Sequence, residues 1–440
     1  MSNIAMVSLG CPKNQMDAEL MLAKLRDAGF TLTDEAETAD VVIINTCGFI
    51  GDAKQEAIDT ILEFAELKKA GQIRAIVVTG CLAQRYRDEV ARELPECDAV
   101  LGLGANANIV ETVRAVLGGE TVQRFPTLSC WSLDGDRVQT TPFYFAYLRV
   151  GDGCNNRCTY CAIPLIRGGL RSRAMDDVVA EAEALAANGV KELVLVAQDT
   201  TLYGVDRAGK SLLPSLLDRL CAIEGLRWIR LLYCYPEHIT EELLDVIARQ
   251  DKVVKYLDIP IQHASGRVLR AMNRPGDRAG LTALMHHIRE RIPEMVLRTT
   301  VMVGFPGETE TEFEELCDFI REVRFDRLGC FAYSPEEGTP AADMADQVEE
   351  EVKQRRRDIV MELQTRLADE CGEAQIGKTV TVLVEGFDRL EKCWFGRSAA
   401  DAPDIDPRVF FATTEPVEPG EFVDVRITGR LDWDLLGERV

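Results

Sequence analysis

The chain has 440 residues, 46% of them hydrophobic and 28% charged, a balance that excludes a disordered or fibrous protein and predicts two or three domains. Its net charge of -23, from 73 acidic and 50 basic residues, disfavours broad contact with nucleic acid phosphates and favours basic partners. No apolar run is long enough to span a bilayer and no signal peptide is evident, so we expect a cytoplasmic protein without a membrane partner.

Residues 1–120 alternate between short runs rich in Val and Ile and amphipathic helical patterns. This alternation predicts an N-terminal parallel α/β domain with helices covering the sheet. The four predicted strands are 4–9, 41–45, 75–79 and 99–103. Residues 121–142 are polar, contain proline and have no clear period, so we interpret them as a linker.

Residues 143–372 contain a second alternating series, in which helical patterns such as 176–188 and 311–323 separate six strands. The predicted strands are 145–150, 192–197, 228–233, 256–261, 296–304 and 328–333. Six such repeats predict a partial (β/α)6 barrel, with its functional groups at the carboxyl ends of the strands. A long helix over 346–370 follows, and we interpret its charged stretch as a solvated face.

Residues 373–440 differ in character, because strand-like runs alternate there with turns that contain Gly and Pro. The runs 379–385, 409–412 and 421–427 predict a small C-terminal antiparallel β barrel. From 375 to 440 the chain has eight basic and thirteen acidic residues, a net charge of -5. An acidic domain of this kind is a poor match for a phosphate backbone.

Fourteen cysteines are many for a chain in a reducing compartment, where disulfides are rare, so some should bind metal. Residues 153–161 read Gly-Cys-Asn-Asn-Arg-Cys-Thr-Tyr-Cys and directly follow the first barrel strand. Their three thiols, the core cysteines Cys154, Cys158 and Cys161, could hold three irons of a cubane cluster and leave the fourth open to a chelating cofactor. A zinc site is disfavoured because no fourth Cys or His lies nearby.

A second set, the N-terminal cysteines, lies in the first domain. Cys11, Cys47 and Cys81 each follow one of its first three predicted strands. Because parallel strands place their carboxyl ends along one edge, the three thiols should converge there. Identical placement on three strands favours a shared ligand role over three inert buried thiols.

The core motif resembles that of the radical S-adenosylmethionine (SAM) enzymes. The resemblance implies that the core cysteines hold a 4Fe-4S cluster that cleaves SAM reductively. By the same resemblance Tyr160 lies near the adenine, and the run 303–309 with Gly304 matches the adenine-side motif. Gln198 and Gln262, after the second and fourth barrel strands, could contact SAM or substrate, or only cap the strand ends.

Two three-cysteine sets followed by a small β barrel resemble the methylthiotransferases over nearly the whole chain. Ile163, Pro164 and the run 167–173 add to the match. The resemblance implies an N-terminal methylthiotransferase domain, a radical SAM core and a C-terminal TRAM domain. It also implies that the N-terminal cysteines hold an auxiliary 4Fe-4S cluster, which carries the sulfur to be inserted.

Methylthiotransferases act on a tRNA adenosine or on an aspartate of small-subunit ribosomal protein twelve. The acidic TRAM domain favours the basic ribosomal protein, and we expect Asp401, Asp404 and Asp406 to bind it. The segments 233–238 and 257–265 also resemble the ribosomal branch. We therefore predict the aspartate enzyme, with no RNA partner.

In the implied reaction one SAM methylates a sulfur on the auxiliary cluster, and a second SAM yields the radical that takes a hydrogen from the aspartate β-carbon. A flavodoxin or ferredoxin would supply the electron. Two alternatives stay open. A groove with Arg167, Arg171 and Arg173 could bind tRNA, or the chain could be a non-catalytic iron–sulfur protein for electron transfer or cluster delivery.

Overall fold

The computed structural model describes residues 2–440, and its first layer is a parallel sheet covered by helices. The strands are β1 (Asn3–Ser8), β2 (Thr31–Leu32), β3 (Val41–Thr46), β4 (Ala75–Gly80), β5 (Ala99–Leu101) and β6 (Val122–Arg124). The helices are α1 (Pro12–Asp27), α2 (Gly51–Lys69), α3 (Cys81–Tyr86), α4 (Asp88–Glu93) and α5 (Ile109–Leu117). Because helices cover both faces, β3 and β4 are buried along their whole length.

All neighbouring strands of this sheet are parallel, in the order β2-β1-β3-β4-β5-β6. The predicted parallel α/β domain is thus confirmed, with shifts of one or two residues at strand ends. The short edge strands β2 and β6 were not predicted. Strand β6 lies within residues 121–142, so that stretch is not wholly irregular.

A second parallel sheet forms the partial barrel. Its region contains β7 (Phe145–Arg149), β8 (Gly151–Asp152), β9 (Arg171–Ser172), β10 (Glu192–Val196), β11 (Trp228–Leu231), β12 (Val253–Asp258), β13 (Val296–Val303) and β14 (Arg327–Ala332). The sheet order is β14-β13-β12-β11-β10-β7, and the two outer strands do not pair, so the barrel is open as predicted. Strands β8 and β9 form a small antiparallel ribbon that the sequence did not predict.

Nine helices lie in this region of the described chain. They are α6 (Ile163–Arg167), α7 (Met175–Ala187), α8 (Val205–Ala208), α9 (Leu213–Cys221), α10 (Glu241–Arg249), α11 (Gly266–Ala271), α12 (Arg278–Arg291), α13 (Glu310–Val323) and α14 (Glu350–Glu373). Outward-facing strand residues such as Leu148, Leu195 and Leu257 pack with these helices in the largest core. Within residues 2–440 no helix combines the length and apolar character needed to cross a membrane.

The C-terminal strands close into a small barrel, as predicted. They are β15 (Thr379–Asp388), β16 (Cys393–Ser398), β17 (Val409–Ala412), β18 (Phe422–Leu431) and β19 (Asp434–Arg439), in the closed order β15-β16-β17-β19-β18. The prediction of a purely antiparallel barrel was wrong for one pair, because β17 and β19 are parallel. This follows from the insertion of β19 between β17 and β18, which closes the sheet without free edges.

This small barrel docks on the amino-terminal ends of the partial-barrel strands. Glu192, the first residue of β10, is buried between Arg230 at 2.8 Å and Arg397 of β16 at 2.7 Å. Beside them the Trp228 ring packs edge-on against the Phe422 ring, with the ring centroids 4.8 Å apart. The carboxyl ends of the strands, where the cysteine sets lie, are therefore at the opposite end.

A capping box at the start of α13 gives a pH-dependent prediction. Thr309 Oγ1 accepts from the Glu312 backbone, and the Glu312 carboxylate accepts from the Thr309 backbone at 2.9 Å and from Arg267. Burial alone would raise the pKa of Glu312, but these hydrogen bonds outweigh it and lower the pKa to about 2. A depressed pKa stabilises the fold above the ordinary value near 4.5, and the gain is lost as pH falls toward 2.

The substitution Glu312→Gln should therefore lower the melting temperature at pH 7, by the equivalent of at most about 1 kcal/mol, because the neutral amide keeps the capping box but loses the ion pair with Arg267. The difference from the unsubstituted protein should shrink steadily below pH 4.5. Thermal unfolding at pH 7, 4.5 and 3.5 measures it, with Glu314→Gln on the exposed face of the same helix as the control. A difference independent of pH would contradict the role of the ionised carboxylate.

Candidate active site between two cysteine sets

The N-terminal cysteines lie where three neighbouring strands end. Cys11 caps α1, Cys47 follows β3, and Cys81 begins α3 directly after β4. Gly10, at φ +88°, allows the close approach of these loops, since a Cβ there would lie 2.7 Å from the Cys47 Cβ. A Cβ at Gly48 would come equally close to the Leu82 backbone. The packing of the loops therefore requires glycine at both positions.

Asn14 ties these loops together from the first turn of α1. Its buried Nδ2 donates to the carbonyl oxygens of Leu9 at 2.7 Å and Asn45 at 3.0 Å. In return the Asn45 Nδ2 donates to the Asn14 carbonyl at 2.6 Å. The strand ends that carry Cys11 and Cys47 are thus held by side-chain amides.

Burial disfavours the ionised form of two of these thiols, Cys47 and Cys81. It raises the pKa of Cys47, and it raises the pKa of Cys81 to about 12. Cys11 and Cys47 raise the pKa of Cys81 further because their own negative charge would lie nearby. The Arg167 guanidinium lowers the pKa of Cys47 and Cys81 but does not offset burial. Iron ions would supply the further positive charge that holds both sulfurs as thiolates.

The core cysteines lie on the loop after β8. Burial raises the pKa of Cys154 to about 11 and that of Cys161 to about 12, and each is raised further by the Cys158 thiol. The Asn156 backbone N–H donates toward the Cys154 Sγ at 3.5 Å. Six thiols in two sets of three form a soft donor set, which suits iron–sulfur clusters.

Within residues 2–440 no group of three or more His, Cys, Asp or Glu side chains is placed to hold a single metal ion. A cluster makes a different demand, because each of its cysteines binds a different iron. Three thiols in each set match the three-cysteine ligation of a cluster with one open iron.

The loop of the core cysteines is fastened by the segment after α11. Thr159 donates from its backbone to the Met272 carbonyl at 3.0 Å and from its hydroxyl to Ala271 at 2.8 Å. Asn273 Nδ2 donates to the carbonyls of Asn156 and Arg157. These bonds fix the backbone between the first and third core cysteines.

Arg167 connects the two cysteine sets. This guanidinium is 2% exposed and donates to Asp17 of the first domain at 2.8 Å and to Asp152 of the barrel at 3.2 Å. It also reaches the Cys81 Sγ at 3.5 Å. Cys81 packs in one cluster with Ala162, the residue after the third core cysteine. The two sets are thus joined through buried contacts.

The first domain also contacts the last strand of the barrel. The buried carboxylate of Glu336, which follows β14, pairs with Lys54 at 3.0 Å and with Arg85 at 2.8 Å. Arg85 also donates to the Gly48 carbonyl at 3.0 Å, beside Cys47. The first domain therefore touches the barrel after its first strand and after its last strand.

The structure brings the predicted SAM-binding residues to the same end of the barrel. Tyr160 packs in one cluster with Phe305, the neighbour of Gly304, so the core motif and the glycine run meet. Gly304 has φ +72° and donates from its backbone to Glu308 at 2.7 Å. A Cβ at Gly304 would lie 2.3 Å from the Lys353 Cγ, so only glycine fits.

The two predicted glutamines differ in their surroundings. Gln198 Nε2 donates to Asp152 at 2.9 Å, while its Oε1 is buried without a hydrogen-bond partner. Gln262 has φ +70° and bridges to β13 through its backbone, donating to Thr300 at 2.9 Å and accepting from Met302 at 2.7 Å. Their contacts with SAM stay predictions.

The acidic segment with Asp401, Asp404 and Asp406 reaches into the partial barrel. Asp401 pairs with Arg327 at 2.7 Å, and Asp406 accepts from the Tyr256 hydroxyl at 2.6 Å. Both carboxylates are thus engaged inside the chain rather than offered to a partner. Asp404 differs, because this residue is exposed and its carboxylate accepts a hydrogen bond only from the Tyr147 hydroxyl, at 3.1 Å.

Several residues beside the thiols were not predicted as site residues. Tyr235 lies 2.8 Å from the Cys158 Sγ, and Arg274 stacks on its ring. Asp17 and Glu336 hold the first domain on the barrel. None has a spacing signal in the sequence, because their contacts arise only when distant elements pack together.

Comparisons with known proteins agree with this architecture. The Radical SAM superfamily matches residues 148–320, a TRAM domain matches 376–440, and Uncharacterized protein family UPF0004 matches 3–102. A solved radical SAM methyltransferase, TsrM from Kitasatospora setae, shares the fold with a TM-score of 0.57 at 16% identity, over 78% of this chain and 77% of its own. The parallel partial barrel with its three-thiol loop therefore defines a radical SAM enzyme, with a 4Fe-4S cluster and SAM as cofactors.

Curated relatives show which family of radical SAM enzymes this chain resembles. "Ribosomal protein uS12 methylthiotransferase RimO" of Clostridioides difficile is 48% identical over 440 residues, which is 100% of this chain and 99% of that protein. The proteins of the same name from Lachnoclostridium phytofermentans and Desulforudis audaxviator are 47% and 50% identical, over 99% of this chain and 99% and 96% of theirs. The chain belongs to the uS12 methylthiotransferase family, and it is a transferase.

Proposed function

We propose that this enzyme transfers a methylthio group to the β-carbon of an aspartate in small-subunit ribosomal protein uS12. The observation that carries the proposal is the pair of three-thiol sets, joined through Arg167 at the carboxyl ends of two parallel sheets. A C–H bond at that carbon has no proton acidic enough for a side-chain base, so a radical is required. The names of the curated relatives support the same substrate.

The six cysteines have the ligand roles in this proposal. The core cysteines Cys154, Cys158 and Cys161 would hold one cluster, and the N-terminal cysteines Cys11, Cys47 and Cys81 the other. When bound, the clusters and SAM supply the radical and the methylthio group. The protein positions them: Asn14 fixes the N-terminal loops, Asn273 fixes the core loop, and Arg167 holds the two sets together.

Electron supply and location complete the proposal. A flavodoxin or ferredoxin type protein would deliver the electrons that SAM cleavage consumes. The enzyme would work in the cytoplasm, where thiols stay reduced and available to iron. Its ribosomal substrate is basic, which suits a chain of net charge -23.

The structure weakens the case for a tRNA substrate. The groove expected to bind RNA needs free arginines, but Arg167 and Arg173 are 2% and 3% exposed and occupied by carboxylates. Arg171 is about one-third exposed and pairs with Asp152 at 3.3 Å. A phosphate backbone would therefore meet little free positive charge there.

An anaerobic assay with SAM and dithionite tests the proposal. Reconstituted enzyme would be offered uS12 and tRNA in parallel, and mass spectrometry would read both. A methylthio group on an aspartate of uS12 is expected. The same group on a tRNA adenosine would replace this proposal with the sister activity. An intact cluster without SAM cleavage would instead indicate a non-catalytic iron–sulfur protein.

Asp404 is proposed to bind a basic side chain of uS12. It is the one carboxylate of the acidic segment that no arginine neutralises, and Tyr147 of β7 orients it. Ile405, the next residue of the segment, is 49% exposed. One negative charge and one exposed apolar side chain therefore lie next to each other in the chain.

The substitution Asp404→Asn should raise the KM for uS12 about five- to tenfold, because one charge-assisted hydrogen bond is lost. Deoxyadenosine formation without uS12 should not change. Steady-state kinetics measure both, and Asp424→Asn at an exposed position of β18 serves as the matched control. An unchanged KM would show that Asp404 does not contact uS12.

A further inference from the structure

Tyr235 lies beside one core cysteine, although no sequence motif pointed to this contact. It follows β11 at the carboxyl end of the barrel, and its hydroxyl is 2.8 Å from the Cys158 Sγ. Either atom of a thiol–hydroxyl pair can donate. A cysteine that binds iron is a thiolate and can only accept, so the Tyr235 hydroxyl would then be the donor.

The position of the Tyr235 ring is fixed by its neighbours. The Arg274 guanidinium lies 4.0 Å from the centroid of the Tyr235 ring. The His238 ring stacks on the Tyr235 ring, with the two ring centroids 5.9 Å apart. The Tyr235 backbone N–H donates to the Thr201 hydroxyl at 3.3 Å. The hydroxyl is therefore aimed at the sulfur by packing on the ring and on the backbone.

Arg274 brings a fixed positive charge to the same place. It is 3% exposed, and its Nη2 donates to the Pro260 carbonyl at 2.8 Å. Among the described residues its Nε has no hydrogen-bond partner although it is buried. A negative charge on Cys158 or on Tyr160 would interact with the Arg274 guanidinium. A buried, incompletely satisfied guanidinium of this kind requires an anion nearby.

We propose that Tyr235 and Arg274 position the core cluster and raise its reduction potential, by a hydrogen bond to the Cys158 sulfur and by a fixed positive charge. Reduction adds one electron, taken from the external reductant, so the cluster and its thiolates become more negative. A hydrogen-bond donor and a cation stabilise that more negative state preferentially. This inference rests on the proposed ligand role of the core cysteines.

Redox titration of a single cluster tests this proposal. In the full chain with Cys11, Cys47 and Cys81 replaced by alanine, only the core cluster contributes to the electron paramagnetic resonance signal. Tyr235→Phe removes the hydroxyl alone, Arg274→Met removes the charge, and Arg274→Lys restores it. Tyr203→Phe is the matched control, because its hydroxyl donates to the Arg173 carbonyl and not to a thiol.

With iron content unchanged, Tyr235→Phe and Arg274→Met should each lower the equilibrium constant for reduction about five- to tenfold. Arg274→Lys should recover part of that loss, and Tyr203→Phe should show none. An unchanged potential in both variants would overturn the proposal. So would loss of the cluster from Tyr235→Phe in a chain that still melts normally, since the hydroxyl would then be needed for loading.

Binding of SAM to the same variants distinguishes a second role for Arg274. If Arg274→Met weakened SAM binding but left the potential of the SAM-free cluster unchanged, the guanidinium would serve the cofactor carboxylate, and the proposal would fail for that residue. None of these measurements contains uS12. Failure of the aspartate reaction would therefore leave the result for the core cluster intact.

Discussion

Alanine substitution of one cysteine set is expected to abolish different activities from alanine substitution of the other. Replacing Cys154, Cys158 and Cys161 should abolish SAM cleavage and all product, whereas replacing Cys11, Cys47 and Cys81 should abolish methylthio transfer but leave SAM cleavage. The difference follows from the positions of the sets, since only the core set meets the Tyr160 and Gly304 regions where SAM is predicted to bind.

Each triple substitution should also remove about four irons per chain. Iron analysis, deoxyadenosine and methylthio-uS12 are measured on the same preparations. Cys130→Ala is the matched control, because Cys130 is exposed and lies outside both sets. Loss of SAM cleavage from the N-terminal variant, with its core cluster intact, would contradict the separation of roles.

The substitution Arg167→Met is expected to have the largest effect on stability. Arg167 is buried between Asp17 and Asp152, so its removal takes one charge-assisted hydrogen bond from each carboxylate, although Asp17 keeps Arg149 and Asp152 keeps Arg171. Two such buried bonds together contribute about 3–5 kcal/mol. Methylthio transfer should fall more than SAM cleavage, because the contact joins the two cysteine sets.

Thermal unfolding and hydrogen exchange in α1 and α3 measure this effect. Arg171→Met is the comparison, since Arg171 also contacts Asp152 but is partly exposed, and it should cost at most about 1 kcal/mol. The double variant with Asp17→Asn should be less stable than Arg167→Met, because the buried Arg149 also pairs with Asp17 and would then lose that carboxylate. An Arg167 variant as stable as the Arg171 variant would show that the buried network does not hold the domains together.

The sequence predicted the elements that carry chemistry well. Runs of Val and Ile mark both parallel sheets, because strands buried on both faces require apolar residues throughout. The positions of all six cysteines after strands then follow from chain order. The domain boundaries at 120, 142 and 372 and the individual ligand roles stay predictions.

The acidic segment shows where composition misleads. Asp401 and Asp406 suggest a charged surface when read from the sequence, yet they lie inside the barrel because Arg327 and Arg298 on its strands face them. Burial also determines which charge stays available, and that is Asp404 alone of the three. Such pairing depends on residues at least 70 positions away in the chain, so local pattern cannot reveal it.

Tyr235 and Arg274 show a second limit of the sequence. A cysteine motif identifies ligands by spacing, but the groups that tune a cluster come from other strands and have no fixed distance from it in sequence. The short strands β2 and β6 were missed for a simpler reason. With two and three residues, they are too brief for a period to appear.

Deuterium at the β-carbon of the target aspartate in uS12 would test the central claim most directly. The proposed reaction takes a hydrogen from that carbon, so one turnover with labelled uS12 should place deuterium in the deoxyadenosine formed. Mass spectrometry would read the nucleoside and the methylthiolated peptide together. Unlabelled deoxyadenosine accompanying a methylthiolated aspartate that keeps all of its deuterium would contradict hydrogen removal from that carbon.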